Sequence, residues 1–555
     1  MSGPRVGVLW LADVQHAGTS SVARLYRELD AALSEHASVA RLPSRFAHLT
    51  TPERDQAFAE LFRVSELVVV PSPYSAEAFR QRRRLRGRVP FLYLPLGELP
   101  RGAPHLRQAL PFFGAQDTVA VSCSADRAIL RALVATLPSR VVTLPFFVDT
   151  ARFHPVPVRR RALIRRSLGL PTKKTLVTYL GRITAEKNVH GFLRALRPVL
   201  ESTADVEGVV VGPVDDQPFE EFGTGPFALE PLLRAALGPK LGRRVHFLPE
   251  LAAADVPAVL AASDVFASLT LHGDENFGFT QLEAMSTGLP VLATDWGGLK
   301  DTVVEGITGL LVDTVVTPGA VHVDVLQATR HLRRLVAEPS LRTALGRAGR
   351  QRALQDYAIP VFHHNVGRVV SQCLGRTGRR SARKATFTPL GERVVEALGG
   401  GPGATDGSDL RTDPPLGRYA PSDHAVYEAL ITPYATRRQH RTPRPEEVLF
   451  IAPSSVALDG LTLAWLDPHW PRALRLTSAQ ARLLTSLTSL LRLRKGDGIS
   501  VRELLGRVGG GAAAFRALTK LVTQGTVGVS SQPASAQSVG RGLSRKAATS
   551  RTTES

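Results

Sequence analysis

Short apolar runs alternate with helix-period stretches from residue 5 to about residue 345. The runs fall at 6–11, 67–70, 91–94, 118–122 and 141–145, then at 176–180, 208–211, 245–248, 265–267, 291–294 and 309–312. They are nearly uninterrupted and rich in Val and Leu, as expected of parallel strands buried on both faces. Helical patterns such as 20–34 and 188–200 lie between them. Alternating strands and helices predict doubly wound parallel sheets. The alternation breaks at 146–170, where FVDTARFHPVPVRRR is irregular and Pro-containing. The expected fold class is therefore α/β, with two Rossmann-like domains, 1–155 and 165–350, facing across a cleft. Ligands in such sheets sit at the carboxyl ends of the strands, which places the site in that cleft.

Residues 351–375 read as a helix interrupted at Pro360. Beyond it the pattern changes. Residues 376–444 are rich in Gly, Pro, Arg and Asp and read as a partly disordered linker. Residues 445–530 carry three helical stretches, TSAQARLLTSLTSLLRL, VRELLGRV and AAAFRALTKLVTQG, then the strand-like TVGVS. That order predicts a small, mainly helical module resembling a winged helix. The Ser-, Arg- and Thr-rich stretch 531–555 reads as a disordered tail.

Composition narrows the setting. With 555 residues and 43% hydrophobic content, three or four ordinary domains are expected. No apolar run reaches the roughly 18 residues of a membrane span. The opening MSGPRVGVLWLADV lacks a long apolar region and a small-residue cleavage site, so it reads as a first strand and not as a signal peptide. Two cysteines, Cys123 and Cys373, make neither a disulfide framework nor a metal cluster, which fits a reducing cytoplasm. The net charge of +20 points to nucleic acid, anionic membrane or phosphorylated partners, or to Arg residues spread over solvated faces. Clusters stand out at Arg82-Arg83-Arg84, at Arg159-Arg160-Arg161 and from Arg376 to Lys384.

Two stretches carry chemistry. GRITAEKN (181–188) follows the strand at 176–180. Gly181 permits a tight turn, and Arg182 and Lys187 flank a helix start, where two cations and helix amides suit a diphosphate. A solvated basic turn is the plain alternative. In ENFGFTQLEAMSTGLPVLATDWGG (275–298), seven residues separate Glu275 from Glu283. A helix is expected from about Thr280, with Glu275 in the loop and Glu283 in the first turn. Backbone amides of Phe277, Gly278, Phe279 and Thr280 would then face the cleft. Each carboxylate can accept sugar hydroxyls; a capping charge and an exposed loop acid are the plain readings.

Together these stretches closely resemble the family 4 glycosyltransferases of the GT-B fold. The resemblance spans about residues 5–375 and includes VVVGP (209–213), VHFLPEL (245–251), ASDVFASLTL (262–271) and EGITGLLV (305–312). LPFFVDTARFHP (144–155) resembles the family's interdomain segment, with Phe-Phe where Asn-Gly is usual. The resemblance implies a retaining, metal-independent, hexosyltransferase-type enzyme with a nucleoside-diphosphate sugar as donor and no cofactor. Arg182 and Lys187 would hold the diphosphate, Glu275 the sugar and Glu283 the ribose. Asn276, Phe277, Gly278, Phe279 and Thr280 would lie along the donor, and Leu248, in 247–251, near the base. The 351–375 helix would cross back onto the first domain.

The acceptor half departs from the family pattern. The family's His near the reacting sugar is absent from FLYLPLGELPRG, with only His105 nearby. Gly18, with His16, is the candidate acceptor or phosphate loop. The acceptor (glycan, lipid, small molecule or peptide) is left open, as is peripheral contact with the inner face of a membrane. Two other readings stand beside the transferase: a non-catalytic nucleotide-sugar-binding protein, and a regulator acting through the C-terminal module. Arg516 and Lys520, four residues apart, are a weak footprint for DNA, so a protein or peptide partner is the better expectation for that module.

Overall fold

The computed structural model describes residues 3–9, 21–43, 49–71, 75–95, 99, 103–184, 187–214, 233, 237–273, 275–317, 320–375, 384–397, 432–438, 443–451, 456–459, 462–466, 471–493, 498–524 and 526–530. His16 and Gly18 lie outside these residues, as do the run 376–383 and the tail 531–555.

Two parallel sheets form from the apolar runs. The first contains β1 (Arg5–Val8), β2 (Ser38–Arg41), β3 (Leu67–Pro71), β4 (Phe91–Leu94), β5 (Thr118–Val121) and β7 (Arg140–Thr143), in the order β2-β1-β3-β4-β5-β7. A short β6 (Val134–Thr136) stands apart from it. The second contains β8 (Thr175–Leu180), β9 (Val206–Val211), β10 (Val245–Leu248), β11 (Val265–Ser268), β12 (Val291–Thr294) and β13 (Leu310–Val312), in the order β10-β9-β8-β11-β12-β13. Strands such as β3 and β12 are buried at every position, which is why they read as continuous Val and Leu. β2 was not expected: it is an edge strand, SVAR, with exposed ends and no apolar run.

The unusual Phe-Phe of the interdomain segment has a structural use. Phe146 stacks on Phe279 and tilts against Phe277, with centroids 5.9 and 5.2 Å apart. Phe147 meets Phe362 of the helix Ile359–Leu374 at 5.0 Å. That helix packs along Ser21–His36 of the first domain. His363 is held there between Glu35 (2.7 Å) and Glu28 (3.1 Å).

The stretch 376–444, read as a linker, contains ordered pieces. Thr386–Phe387 pairs antiparallel with β6, and the helix Pro389–Ala397 covers the helix Ser124–Leu133. Residues 432–438 lie on the second domain. Apolar side chains inside a Gly- and Pro-rich context explain the correction: Val394, Val395 and Tyr434 are each fully buried.

The C-terminal module is richer in strands than its sequence pattern indicates. The helices Ser478–Leu493, Val501–Arg507 and Ala512–Thr523 enclose a core with the sheet Ile499–Ser500, Val448–Ile451 and Val527–Ser530. A three-stranded meander spans 456–475. Arg516 and Lys520 are exposed, while Leu518 and Leu521 face the core. The module sits on the second domain: Phe450 packs with Val325 and Leu326, and Ser530 Oγ donates to Asp324 Oδ2 at 2.6 Å.

Candidate active site

A cavity of about 390 Å³ opens between the two domains at the carboxyl ends of the second sheet. Its floor comes from the turn after β8. Gly181 has φ +150°, and the chain passes so close to Gly212 that a Cβ on Gly212 would lie 2.1 Å from the Gly181 carbonyl oxygen. Only glycine fits this crossing of two strand ends. Arg182 follows, its carbonyl accepting from the Tyr179 hydroxyl at 2.6 Å. Asn188 caps the next helix through Gly191 N (3.2 Å) and ties it to the Leu269 carbonyl (2.9 Å).

Lys187 Nζ lies 2.5 Å from Glu275 Oε2, across 88 positions of sequence. The hydroxyl of Thr270 donates to the same oxygen at 3.3 Å. Arg182, Lys187 and Glu275 thus line one cavity, as the sequence predicts. Gly278 (φ +80°) leads into the helix Phe279–Ser286, and a Cβ there would meet Leu299 Cδ2 at 2.4 Å. Gly278, Phe279 and Thr280 line the cavity at this helix N-terminus, where amides lack intrahelical acceptors.

Other placements differ from expectation. The helix starts at Phe279, so Glu283 stands in its second turn and not its first. Phe277 is 2% exposed and belongs to the interdomain aromatic cluster. Asn276 turns its carbonyl to the first domain, accepting from Ser122 Oγ at 3.3 Å. Leu248 ends β10, and the wall beyond it is formed by Glu250 and Leu251. Of the cluster at Arg82-Arg83-Arg84, Arg82 is buried and holds Asp117 in a bidentate pair at 2.6 and 2.8 Å, while Arg83 and Arg84 are exposed.

The structure adds cations that the motifs did not single out. Arg24 and Arg27 reach the cavity from the helix Ser21–His36, and Arg152 reaches it from the interdomain segment. Arg24 Nη1 bonds Glu283 Oε1 at 2.7 Å, and its guanidinium lies 5.2 Å from the Phe279 ring. Burial pushes the Glu283 carboxyl above its ordinary range, opposed by the charges of Arg24 and Arg152. A signal was present in the sequence: cations in the opening turns of a helix run against its dipole, so Arg24 and Arg27 called for another purpose.

Comparison with known proteins bears on the second domain above all. Residues 160–352 match the family model described as "Glycosyl transferases group 1". The chain is 32% identical over 247 residues to a GDP-mannose-dependent alpha-(1-6)-phosphatidylinositol monomannoside mannosyltransferase of Mycolicibacterium smegmatis, covering 44% of this chain and 57% of that protein. It is 34% identical over 224 residues to a D-inositol 3-phosphate glycosyltransferase of Salinispora arenicola, covering 39% of this chain and 46% of the relative. The chain thus spans about half the length of these curated relatives. A solved sucrose-phosphate synthase from Thermosynechococcus elongatus superposes with TM-score 0.50 at 21% identity, over 66% of this chain and 98% of that one. At that identity the likeness speaks to the fold. Residues 160–352 are thus similar to the group 1 glycosyltransferases, and the two parallel-sheet α/β domains give the chain the GT-B fold.

Proposed function

We propose that the chain moves a sugar from a nucleoside-diphosphate sugar to an acceptor, with retention of configuration and without a metal ion. The observation that carries this reading is the contact of Lys187 with Glu275 beside Arg182 and the helix N-terminus at Phe279. A diphosphate set against Arg182, Lys187 and the free amides finds its developing charge neutralised as the sugar departs. Glu275 receives the sugar hydroxyls, and Glu283 receives a ribose hydroxyl beside Arg24. No carboxylate is asked to act as a covalent nucleophile; positioning and charge stabilisation supply the rate.

The first domain's side of the cavity carries Arg24, Arg27 and Arg152. Three guanidiniums suit an acceptor bearing phosphate. The names of the two relatives, one an inositol phosphate enzyme and one a phosphatidylinositol mannoside enzyme, support the same choice. An acceptor held in a lipid layer would bring the enzyme to the cytoplasmic face of a membrane. The helix Val158–Ser167 is suited to that contact: Val158 and Leu163 are exposed among Arg159, Arg160 and Arg166.

The test is a panel of UDP-, GDP- and ADP-sugars, read first by thermal shift, since a bound donor raises apparent stability by mass action. The donor that binds is then offered with phosphorylated and neutral polyols, and the anomer of the product is read by NMR. An inverted product, or turnover that survives in Lys187→Ala and Glu275→Ala, would overturn the assignment.

A further inference from the structure

Residues 432–438 come after both α/β domains, yet they form part of the wall of the second. Tyr434 is fully buried, its ring 5.4 Å from that of Trp296. Its carbonyl accepts from Gly297 N at 3.0 Å, and Lys300 Nζ donates to the Pro433 carbonyl at 2.7 Å. Thr436 and Thr314 exchange two amide-to-hydroxyl bonds, each 3.0 Å. Arg437–Arg438 then runs parallel to Thr314–Thr317 as an added strand.

The turn beneath Tyr434 is the one that holds Glu275. Gly298 N donates to the Glu275 carbonyl at 2.8 Å. Trp296 Nε1 and Glu275 N both donate to the His272 carbonyl, at 2.8 and 3.1 Å. Gly297 has φ +54°, and a Cβ there would meet the Glu275 carbonyl at 2.2 Å and the Tyr434 ring at 2.7 Å. Tyr434, the Gly297-Gly298 turn and the Glu275 backbone are thus three layers in direct contact. Close-packed layers pass on a displacement where a loose one would absorb it.

We propose that Tyr434 is a positioning residue for the donor sugar: it backs the Gly297-Gly298 turn and so fixes the Glu275 carboxylate against Lys187. This gives the chain beyond residue 375 a part in the transfer site. It rests on the assignment of Glu275 to the sugar made above. Besides Lys187 and the helix N-terminus, the diphosphate end of the cavity has Gly181, Arg182 and Gly212, from the turns after β8 and β9, which do not lean on Tyr434. Loss of Tyr434 therefore separates sugar recognition from diphosphate recognition.

Calorimetric titration of the full chain tests this with four probes: UDP, UDP-glucose, GDP and GDP-mannose. The expected result for Tyr434→Ala is roughly tenfold weaker binding of the sugar nucleotide, with the matching diphosphate bound as in the wild type. Tyr434→Phe keeps the ring and loses only the hydroxyl, 3.5 Å from Asp126 Oδ1, so it restores both affinities. Tyr434→Leu, which keeps more bulk than alanine, serves if the alanine variant fails to fold, and shows the same split. Equal loss for both probes, no loss for either, or a Phe variant as weak as Ala overturns the inference. Wild-type protein that binds none of the four, and none of the ADP-sugars in the panel above, overturns the transferase reading itself, and this inference with it.

Discussion

Arg24 Nη1 lies 2.7 Å from Glu283 Oε1, joining the first helix of one domain to the helix Phe279–Ser286 that borders the cavity in the other. The Glu283 side chain is 6% exposed and that of Arg24 24%. A carboxylate so far from water needs its partner. Removing Arg24 strands that charge or forces its protonation. Arg24→Met is expected to lower stability by about 3 kcal/mol, and the double variant with Glu283→Gln to recover more than half of that. A double-mutant cycle in urea measures the coupling; a coupling near zero would show the pair to be incidental.

Lys187 and Glu275 meet at 2.5 Å. Once a donor is identified, Lys187→Ala should lower its turnover by roughly two to three orders of magnitude, the usual effect of deleting a donor aimed at developing charge. Lys187→Arg should recover part of it. Initial rates at saturating donor decide this, and unchanged rates in the alanine variant would move the diphosphate elsewhere.

Asp117 is buried and accepts from both Arg82 nitrogens, from Phe91 N at 2.9 Å and from Gly114 N at 2.8 Å. The Arg82 guanidinium also stacks 4.0 Å from the centroid of Phe91. Asp117→Ala leaves a buried cation without its counter-charge, bonded only to the Val89 and Phe112 carbonyls, and two amides without their acceptor, at a cost of about 3–5 kcal/mol. Chemical denaturation reads it. A loss below about 1 kcal/mol would mean that water replaces the carboxylate.

Burial pushes the Asp126 carboxyl up from an ordinary value of 3.8 to about 6, against the Ser122 hydrogen bonds that favour its charged form. The folded protein therefore holds this proton more tightly than the unfolded chain. Its contribution to stability is greatest at acid pH, falls as pH rises from about 4 to about 6, and is lost above that. The full change is roughly 3 kcal/mol. Asp126→Asn should flatten this slope. Unfolding at a series of pH values compares the two, and parallel curves would refute the shift.

Much of the second domain's side of the cavity was legible because its residues are local in sequence. Gly181, Arg182 and Lys187 sit in one turn, and Glu275 to Glu283 in one loop and helix. The strands around them are buried on both faces and announce themselves as Val and Leu. What stayed hidden depends on distant partners. Nothing near Thr386 says that it will pair with β6, and nothing near Tyr434 names Trp296. The hairpin of Thr314–Thr317 and Ala320–Val323 did leave a sign, a Pro-Gly between two Val-containing runs, which marks a turn. The Phe-Phe at 146–147 looked like a lost motif, yet it is the pair that packs the joint between the domains.

The helix Pro389–Ala397 bears on how the protein can be divided. Gly391 approaches the Leu133 carbonyl so closely that a Cβ would stand 2.2 Å away, and Thr388 Oγ1 donates to the Ala132 carbonyl at 2.6 Å. Arg107 reaches Glu392 at 2.7 Å from the other side. A fragment cut at residue 375, where the resemblance to the family ends, is expected to have an open seam. The apolar flank of its first lobe and the bare edge of β6 would be left to find other molecules, and such a fragment is expected to aggregate on expression. The shortest self-sufficient piece is expected to reach beyond Val395, so the first part of the supposed linker belongs to the body.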